Sequence, residues 1–191
     1  IFPHWFPQCC PPSLVTRSRR TLLEFLKAQE SIVVKPTNAM GGRSIFLVRA
    51  GDPNTTVIFE EMTQHEERFV VAQAYLPEVK EFGDKRILLI DGKPVNAALR
   101  RMPAPGDPRC NLAVGGTAAG AELTERDLWI CEEVGPALRE RGLFFVGIDV
   151  IGDYLTEINV TSPTCIRELD RLFELNIASL LLDALVMRLG G

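Results

Sequence analysis

The chain has 191 residues, 46% of them hydrophobic and 24% charged, which is enough to bury the core of one domain or of two small ones. This composition excludes a disordered or fibrous protein, and a net charge of −4 without a basic tract excludes nucleic acid as the main partner. No apolar run reaches the roughly 18 residues of a membrane span, so no membrane partner is predicted. The five cysteines form no C-x-x-C pair, which predicts a reducing cytoplasm rather than a disulfide framework or a zinc site.

The first half of the chain is predicted to hold one short helix and three strands. Apolar residues spaced between charged ones predict an amphipathic helix over 18–29. Strands are predicted over 31–35, 44–48 and 69–74, with the small-residue segment between the first two as a long hairpin tip. The chain opens in a proline-rich stretch with no signal-peptide pattern, so we expect it to be part of a longer protein.

The second half is predicted to hold two strand pairs and two helices. A hairpin is predicted over 84–101, because Asp91-Gly92 suits a two-residue turn. The segment 103–120 has three prolines and four glycines, which predicts a long lid-like loop. A helix over 124–141 with a capping box, strands over 144–151 and 154–160, and a helix over 176–189 complete an α+β pattern with a seam near Pro77.

A candidate metal site lies in the predicted strand pair near the C-terminal end. Glu157 and Asn159 are two residues apart on one strand and share a face, and Asp149 lies on the preceding strand. Such hard oxygen donors suit Mg²⁺, although a solvated sheet face with hydrogen-bonded carboxylates would show the same spacing. A two-residue turn would set Asp149 opposite Thr156, whereas a three-residue turn over 152–154 would set it opposite Glu157. We predict the three-residue turn.

Two further sets of residues could bind phosphate. Lys35 ends an apolar strand, and Gly41-Gly42 follows it in a loop where backbone N–H groups could approach phosphate oxygens. Arginines at 86, 101, 109 and 167 could bind carboxylates or phosphates, although most arginines are simply solvated. Neither G-x-x-x-x-G-K-[ST] nor G-x-G-x-x-G occurs, which disfavours the common phosphate-loop and Rossmann modes of nucleotide binding.

Four segments, taken in order, resemble bacterial glutathione synthetase, a family of ATP-grasp ligases. Residues 35–46 read K-P-T-N-A-M-G-G-R-S-I-F and resemble the family's K-P-x-x-x-M-G-G-x-S-I-F. Residues 83–92 resemble its G-D-K-R strand pair, and 109–116 match its loop pattern R-x-N-L-A-x-G-G. The segment 146–168, V-G-I-D-V-I-G-D-Y-L-T-E-I-N-V-T-S-P-T-C-I-R-E, is the most specific match. The likeness covers nearly the whole chain.

The resemblance implies an α+β, ATP-grasp fold with two α+β lobes and the nucleotide between them. Residues 1–77 would form a connector and the first lobe, and 78–191 the second lobe with the metal site and a mobile loop. ATP would be bound by Lys35, Gly41, Gly42, Gln73, Ala74, Tyr75, Leu76, Asp84 and Asn111. Mg²⁺, or alternatively Mn²⁺, would be held by Asp149, Glu157 and Asn159. The catalytic arginines would be Arg86, Arg101 and Arg109, and the substrate carboxylates would lie near Ser162, Pro163 and Thr164.

The implied reaction joins γ-glutamylcysteine and glycine at the expense of ATP, through an acyl phosphate. The family carries a further N-terminal substrate domain, which this chain is expected to lack, and its full-length form is expected to be a homo-oligomer. Asn38-Ala39 stands where the family has Asp-Gly, and Cys110 replaces a glycine of the mobile loop. The alternatives are an ATP-grasp ligase with another amine acceptor and a non-catalytic nucleotide-binding module.

Overall fold

The computed structural model describes residues 2–38, 44–104, 110 and 115–190, and these residues form two antiparallel sheets with helices packed against them. The helices are α1 (Phe2–Trp5), α2 (Arg19–Gln29), α3 (Thr55–Thr63), α4 (Val79–Phe82), α5 (Glu125–Glu140), α6 (Ile166–Phe173) and α7 (Ile177–Gly190). The strands are β1 (Ser13–Thr16), β2 (Ser31–Pro36), β3 (Phe46–Arg49), β4 (Val70–Ala74), β5 (Asp84–Ile90), β6 (Lys93–Met102), β7 (Thr117–Ala121), β8 (Phe145–Ile151) and β9 (Tyr154–Asn159).

The first sheet has the order β1-β4-β2-β3 and carries α2 and α3 on one face. Its core joins Ile32 and Val34 of β2 to Leu22 of α2 and Phe59 of α3. The predicted helix is confirmed and begins after Ser18, whose hydroxyl accepts the N–H of the third following residue. The three predicted strands are confirmed, but β1 and α3 carry too little apolar periodicity to have been predicted.

The second sheet has the order β7-β6-β5-β8-β9 and is covered by helices on both faces. Ile87 and Leu89 of β5 pack toward α5, whereas Leu88 and Ile90 pack toward α6 and α7, as the two-residue period of a strand requires. The predicted hairpin and both long helices are confirmed, including the capping box of α5. The last four residues of the predicted loop, 117–120, instead belong to the edge strand β7.

The N-terminal segment packs into the core of the second sheet. Phe6, Cys9 and Cys10 are buried there with residues of α5 and β8, and the N–H of Leu155 donates to the carbonyl of Cys9 over 2.7 Å. Both thiols are free, and burial raises the pKa of Cys9 to about 11 and that of Cys10 to about 12. The chain therefore crosses from the second sheet to the first near Pro11, while the division near Pro77 stays a prediction.

The last helix, α7, differs from the others in what it leaves exposed. Ile177 is buried, but Leu182, Val186, Met187 and Leu189 are mostly exposed. Despite this apolar surface, within the described part of the chain every helix is too short or too polar to cross a membrane.

Candidate active site

A cleft between the two sheets is lined by eight of the predicted site residues. The first sheet contributes Lys35 and Gln73, and the second contributes Asp84, Asp149 and Glu157. Apolar side chains complete the lining, namely Val33, Ile45, Leu47, Leu76, Val79 and Ile151. A cleft with an apolar wall and converging charged groups suits a ligand that has both a flat apolar part and an anionic part.

Lys35 projects from β2 toward the cleft because its neighbours on the strand, Val34 and Ile32, face the core. Its ammonium donates to Oε1 of Gln73 over 2.6 Å and to the backbone carbonyl of Thr156 over 3.1 Å. Burial lowers the pKa of Lys35, and the nearby carboxylates only partly oppose this. The ion pairs found among the described residues do not include Lys35. An anion entering the cleft would therefore meet a buried cation that neutral acceptors hold in place.

The predicted ATP-binding residues 73–76 lie at the end of β4. Gln73 is buried, and its amide donates to the hydroxyl of Ser13 over 3.1 Å while its carbonyl accepts from Lys35. Ala74, Tyr75 and Leu76 follow along the cleft wall. The hydroxyl of Tyr75 is buried and finds no hydrogen-bond partner among the described residues. The segment thus offers an apolar wall with a fixed polar residue at one end.

Two arginines and two aspartates form a largely buried charge cluster, and the two aspartates line the cleft. Arg86 binds both carboxylate oxygens of Asp149, through Nε and through Nη2, the latter over 2.9 Å. Arg101 binds both oxygens of Asp84 over 2.7 Å and Oδ2 of Asp149 over 2.9 Å. Burial alone would raise the pKa of Asp149, but Arg101 and Arg86 outweigh it and hold that pKa below its usual range. Burial, together with Asp149, raises the pKa of Asp84 to about 6.

Glycine 147 makes room for this cluster. A Cβ atom at Gly147 would lie 3.0 Å from Cδ of Arg86 and 3.0 Å from Cβ of Pro163. The Arg86 side chain therefore lies directly over the backbone of β8, and its Nη1 also reaches Oγ1 of Thr164 over 3.4 Å. A glycine inside a strand here marks a close approach by a functional side chain.

The β8–β9 hairpin brings Asp149 and Glu157 to one face, but not by the predicted turn. The turn has two residues, Gly152-Asp153, with Ile151 paired to Tyr154, so the prediction of a three-residue turn is wrong. The pairing instead shifts between Asp149 and Val150, which pair with Glu157 and Leu155. Thr156 is the extra residue of a β-bulge, and one extra residue exchanges the two faces of the rest of the strand as an odd turn would have done.

The three predicted metal donors lie together in the structure. Asp149 and Glu157 are opposite each other on the paired strands, and Nδ2 of Asn159 is 3.4 Å from Oδ2 of Asp149. Burial and the Asp149 carboxylate raise the pKa of Glu157 to about 7. A carboxyl pair that retains a proton near neutrality is where a divalent cation would replace that proton. Among the described residues no group of three His, Cys, Asp or Glu side chains could hold a metal, so an amide, Asn159, would have to be the third donor.

The remaining predicted residues are less completely placed. Thr164 contacts Arg86, Pro163 lies beside Gly147, and Ser162 is exposed in the loop that follows β9. Four predicted residues fall outside the described ranges, namely Gly41, Gly42, Arg109 and Asn111. Arg167 is exposed on α6.

Four further residues of the site were not predicted from the sequence. Val33 shares the cleft face with Lys35, and the two-residue period of β2 could have revealed it. Ser13 holds Gln73 from β1, a strand with no sequence signal. Thr156 occupies the bulge and lines the cleft. Cys110, noted in the sequence only because it replaces a glycine of the family's loop, is buried and also lines the cleft.

Comparison with known proteins identifies the family. The model of the prokaryotic glutathione synthetase ATP-grasp domain matches residues 1–174. Glutathione synthetase of Pseudomonas aeruginosa is 56% identical over 191 residues, which are 100% of this chain and 60% of that protein. Glutathione synthetase of Coxiella burnetii is 54% identical over 178 residues, which are 93% of this chain and 55% of that protein. The chain thus spans little more than half the length of these relatives.

Solved structures agree on the fold. D-cycloserine synthetase DcsG superposes with a TM-score of 0.74 at 16% identity, covering 95% of this chain and 65% of that one. D-alanine–D-alanine ligase of Bacillus anthracis superposes with a TM-score of 0.62 at 14% identity, covering 97% and 63%. The fold is α+β of the ATP-grasp type, which confirms the predicted class. Through its match over residues 1–174, the chain belongs to the prokaryotic glutathione synthetase family and contains that family's ATP-grasp domain.

Proposed function

We propose that the protein is an ATP-dependent ligase that joins γ-glutamylcysteine to glycine and so makes glutathione. The observation that carries this proposal is the 56% identity to a glutathione synthetase over the whole chain, including the segment that supplies Asp149, Glu157 and Asn159. Because the chain spans 60% of that relative, the proposed reaction is that of the whole protein.

In this proposal the cleft binds ATP. Lys35 would bind the phosphates, since its buried ammonium has only neutral hydrogen-bond acceptors in the described structure. The segment 73–76 would hold adenine against its apolar wall, and Asp84 would bind the ribose after loosening one of its bonds to Arg101. The described structure does not include Gly41, Gly42 and Asn111, and their proposed place over the phosphates follows from the resemblance alone.

Magnesium, or manganese, would be held by Asp149, Glu157 and Asn159. When bound it would neutralise phosphate charge and align the γ-phosphate for transfer. The facing carboxyl groups of Asp149 and Glu157 support this assignment, because the Asp149 carboxylate raises the pKa of Glu157, and a bound cation would relieve that repulsion. Asp149 is also engaged by Arg86 and Arg101, so the chain's most available donors are Glu157 and the amide oxygen of Asn159.

The chemistry requires positioning and charge neutralisation rather than a side-chain nucleophile. The cysteinyl carboxylate of γ-glutamylcysteine attacks the γ-phosphorus, ADP leaves, and the glycine amine then displaces phosphate from the acyl phosphate while losing a proton. Arg86 and Arg101 are buried beside the cleft and bind Asp149 and Asp84 of its lining, and their guanidinium groups would stabilise the transferred phosphoryl group or the dipeptide carboxylate. Arg109 would add a third cation, and the loop containing Ser162, Pro163 and Thr164 would border the substrate.

Two other functions use the same cleft. A related ligase with another amine acceptor would keep every ATP contact and change only the second substrate. A non-catalytic nucleotide-binding module would bind ATP without turnover, but the retention of Lys35, Asp149 and Glu157 in one cleft favours an enzyme. The proposed setting is cytoplasmic, with small-molecule substrates, and the homo-oligomeric state of the full-length form stays a prediction.

The test is ADP release by the whole protein. With ATP, Mg²⁺ and γ-glutamylcysteine, we expect sustained ADP release only when glycine is added, together with glutathione in equal amount. ADP release that ignores glycine but responds to another amine would identify a different ligase. Nucleotide binding without ADP release under any of these conditions would favour the non-catalytic module.

A further inference from the structure

The β-bulge at Thr156 decides which residues reach the cleft. Val150 pairs with Leu155, and both side chains belong to the core. In a regular ladder continued from that pair, Thr156 would oppose Asp149 and Glu157 would oppose Ile148, whose side chain is fully buried in the core. Glu157 would then carry its carboxyl into an apolar interior, which is strongly unfavourable. The extra residue moves Glu157, and with it Asn159, onto the face of Asp149.

Thr156 makes one hydrogen bond to the neighbouring strand β8 and another to Lys35 of the opposite sheet. Its hydroxyl donates to the backbone carbonyl of Asp149 over 3.1 Å, across the two strands. Its own backbone carbonyl accepts from the ammonium of Lys35 over 3.1 Å, across the cleft. The side chain is only 7% exposed, so water does not compete freely for these groups. One residue thus connects the strand that holds the metal donors to the lysine of the opposite sheet.

Threonine is suited to this place for a reason beyond strand propensity. A bulge leaves backbone polar groups without their usual ladder partners. The Thr156 hydroxyl provides a substitute bond on one side, and the Lys35 ammonium provides one on the other. Valine has the same shape and strand preference but offers no donor, whereas serine keeps the donor and loses only a methyl group.

We propose that Thr156 is a positioning residue of the site: its hydroxyl, bonded to the Asp149 carbonyl, holds the bulge that aligns Glu157 and Asn159 with Asp149 and presents the Thr156 carbonyl to Lys35. This inference rests on the proposed function, because it assigns the aligned donors to the metal that accompanies ATP. Thr156 itself touches neither the metal nor the reacting atoms.

The experiment compares Thr156→Val with Thr156→Ser in the whole protein. Calorimetry measures the dissociation constant of ADP in Mg²⁺ and again in EDTA, and the ratio of the two constants reports how well metal and nucleotide bind together. Residues that hydrogen-bond to metal ligands and orient them typically contribute about 10–100-fold to metal affinity. We therefore expect Thr156→Val to reduce the Mg²⁺-dependent gain in ADP affinity at least tenfold. Thr156→Ser should keep the ratio within about twofold of the parent, since it retains the hydroxyl.

The outcomes separate this inference from the proposed function. An unchanged ratio in Thr156→Val would overturn the inference even if its melting temperature falls, because a purely structural residue changes stability and not the metal dependence. Equal loss in Thr156→Val and Thr156→Ser would also overturn it. If the valine variant does not fold, Thr156→Ala against Thr156→Ser makes the same comparison. A parent protein that binds ADP equally with and without Mg²⁺ overturns the inference, while glutathione formation by that parent would still support the proposed function.

Discussion

The charge cluster predicts that Asp149 stabilises the protein even without metal. Asp149→Asn keeps the side-chain volume but replaces one carboxylate oxygen by an NH₂ group. That group is a donor and cannot accept hydrogen bonds from Arg86 and Arg101. Two buried guanidinium groups are then left to share the single carboxylate of Asp84. If Asp149 served only as a metal ligand, Asp149→Asn would instead stabilise the metal-free protein, because removing this carboxylate would relieve its repulsion with Glu157 and Asp84.

The size of the effect follows from the contacts. Asp149 is 2% exposed, and breaking a buried ion pair by removing one partner costs about 3–5 kcal/mol. For a domain of this size each kcal/mol lowers the melting temperature by about 2–4 °C, so we expect a fall of about 10 °C. The assays are urea unfolding for the free energy and thermal unfolding for the melting temperature, both at pH 8 in EDTA and followed by far-ultraviolet circular dichroism. The matched control is Asp153→Asn, the same change at an exposed position of the same hairpin, which should stay within about 0.5 kcal/mol.

The refuting result is equally definite. If Asp149→Asn is as stable as the parent in EDTA, or more stable, then the two arginines do not depend on this carboxylate. The lowered pKa of Asp149 also predicts how this stabilisation depends on pH. Its stabilising contribution is present above the ordinary aspartate pKa and is lost as the pH falls below it, so the difference between parent and variant should shrink in strong acid.

Two further predictions concern neighbours of Asp149. Gly147→Ala should cost about 1–3 kcal/mol in urea unfolding and displace Arg86, because the added methyl group would lie 3.0 Å from its Cδ. The free energy of unfolding without metal should fall as the pH rises from about 4.5 to 7, since the folded protein holds the proton of Glu157, whose pKa is about 7, more tightly than the unfolded chain does. Asp84, with a pKa of about 6, contributes in the same direction.

Each of these two predictions has a control. Gly190→Ala adds the same methyl group at a position where it meets no atom within 4 Å, and it should not destabilise the protein. Equal losses in the two alanine variants would contradict the close approach at Gly147. Glu157→Gln cannot ionise, so it should flatten the decline of unfolding free energy with pH. A decline as steep in the glutamine variant as in the parent would mean that Glu157 does not retain its proton.

Much of the fold could be predicted from local patterns. The helix after Ser18, the hairpin at Asp91-Gly92 and the capped helix after Thr124 carry strong signals, because caps, turns and apolar periodicity depend on neighbouring residues only. The short strand β1 and the N-terminal segment do not. Ser13 and Cys9 occupy places that depend on partners far along the chain, namely Gln73 and Leu155.

The site shows the same division. Lys35 could be predicted from its residue type at the end of an apolar strand, and the two-residue strand period suffices to put Glu157 and Asn159 on one face. That Asp149 and Glu157 lie opposite each other was predicted from a wrong turn length, since a bulge and an odd turn have the same effect on the strand's faces. The ion pairs from Arg86 and Arg101 to Asp149 could not be predicted, because they depend on how β5, β6 and β8 are paired.

In the proposed reaction, a carboxylate of γ-glutamylcysteine is activated by phosphoryl transfer in this cleft. The most direct test labels both oxygens of the cysteinyl carboxylate with oxygen-18 and supplies the whole protein with ATP, Mg²⁺ and glycine. If the account is right, each phosphate released carries one labelled oxygen and each glutathione formed keeps one. Unlabelled phosphate released alongside ADP would mean that water, not the dipeptide, accepts the phosphoryl group, and would contradict the account.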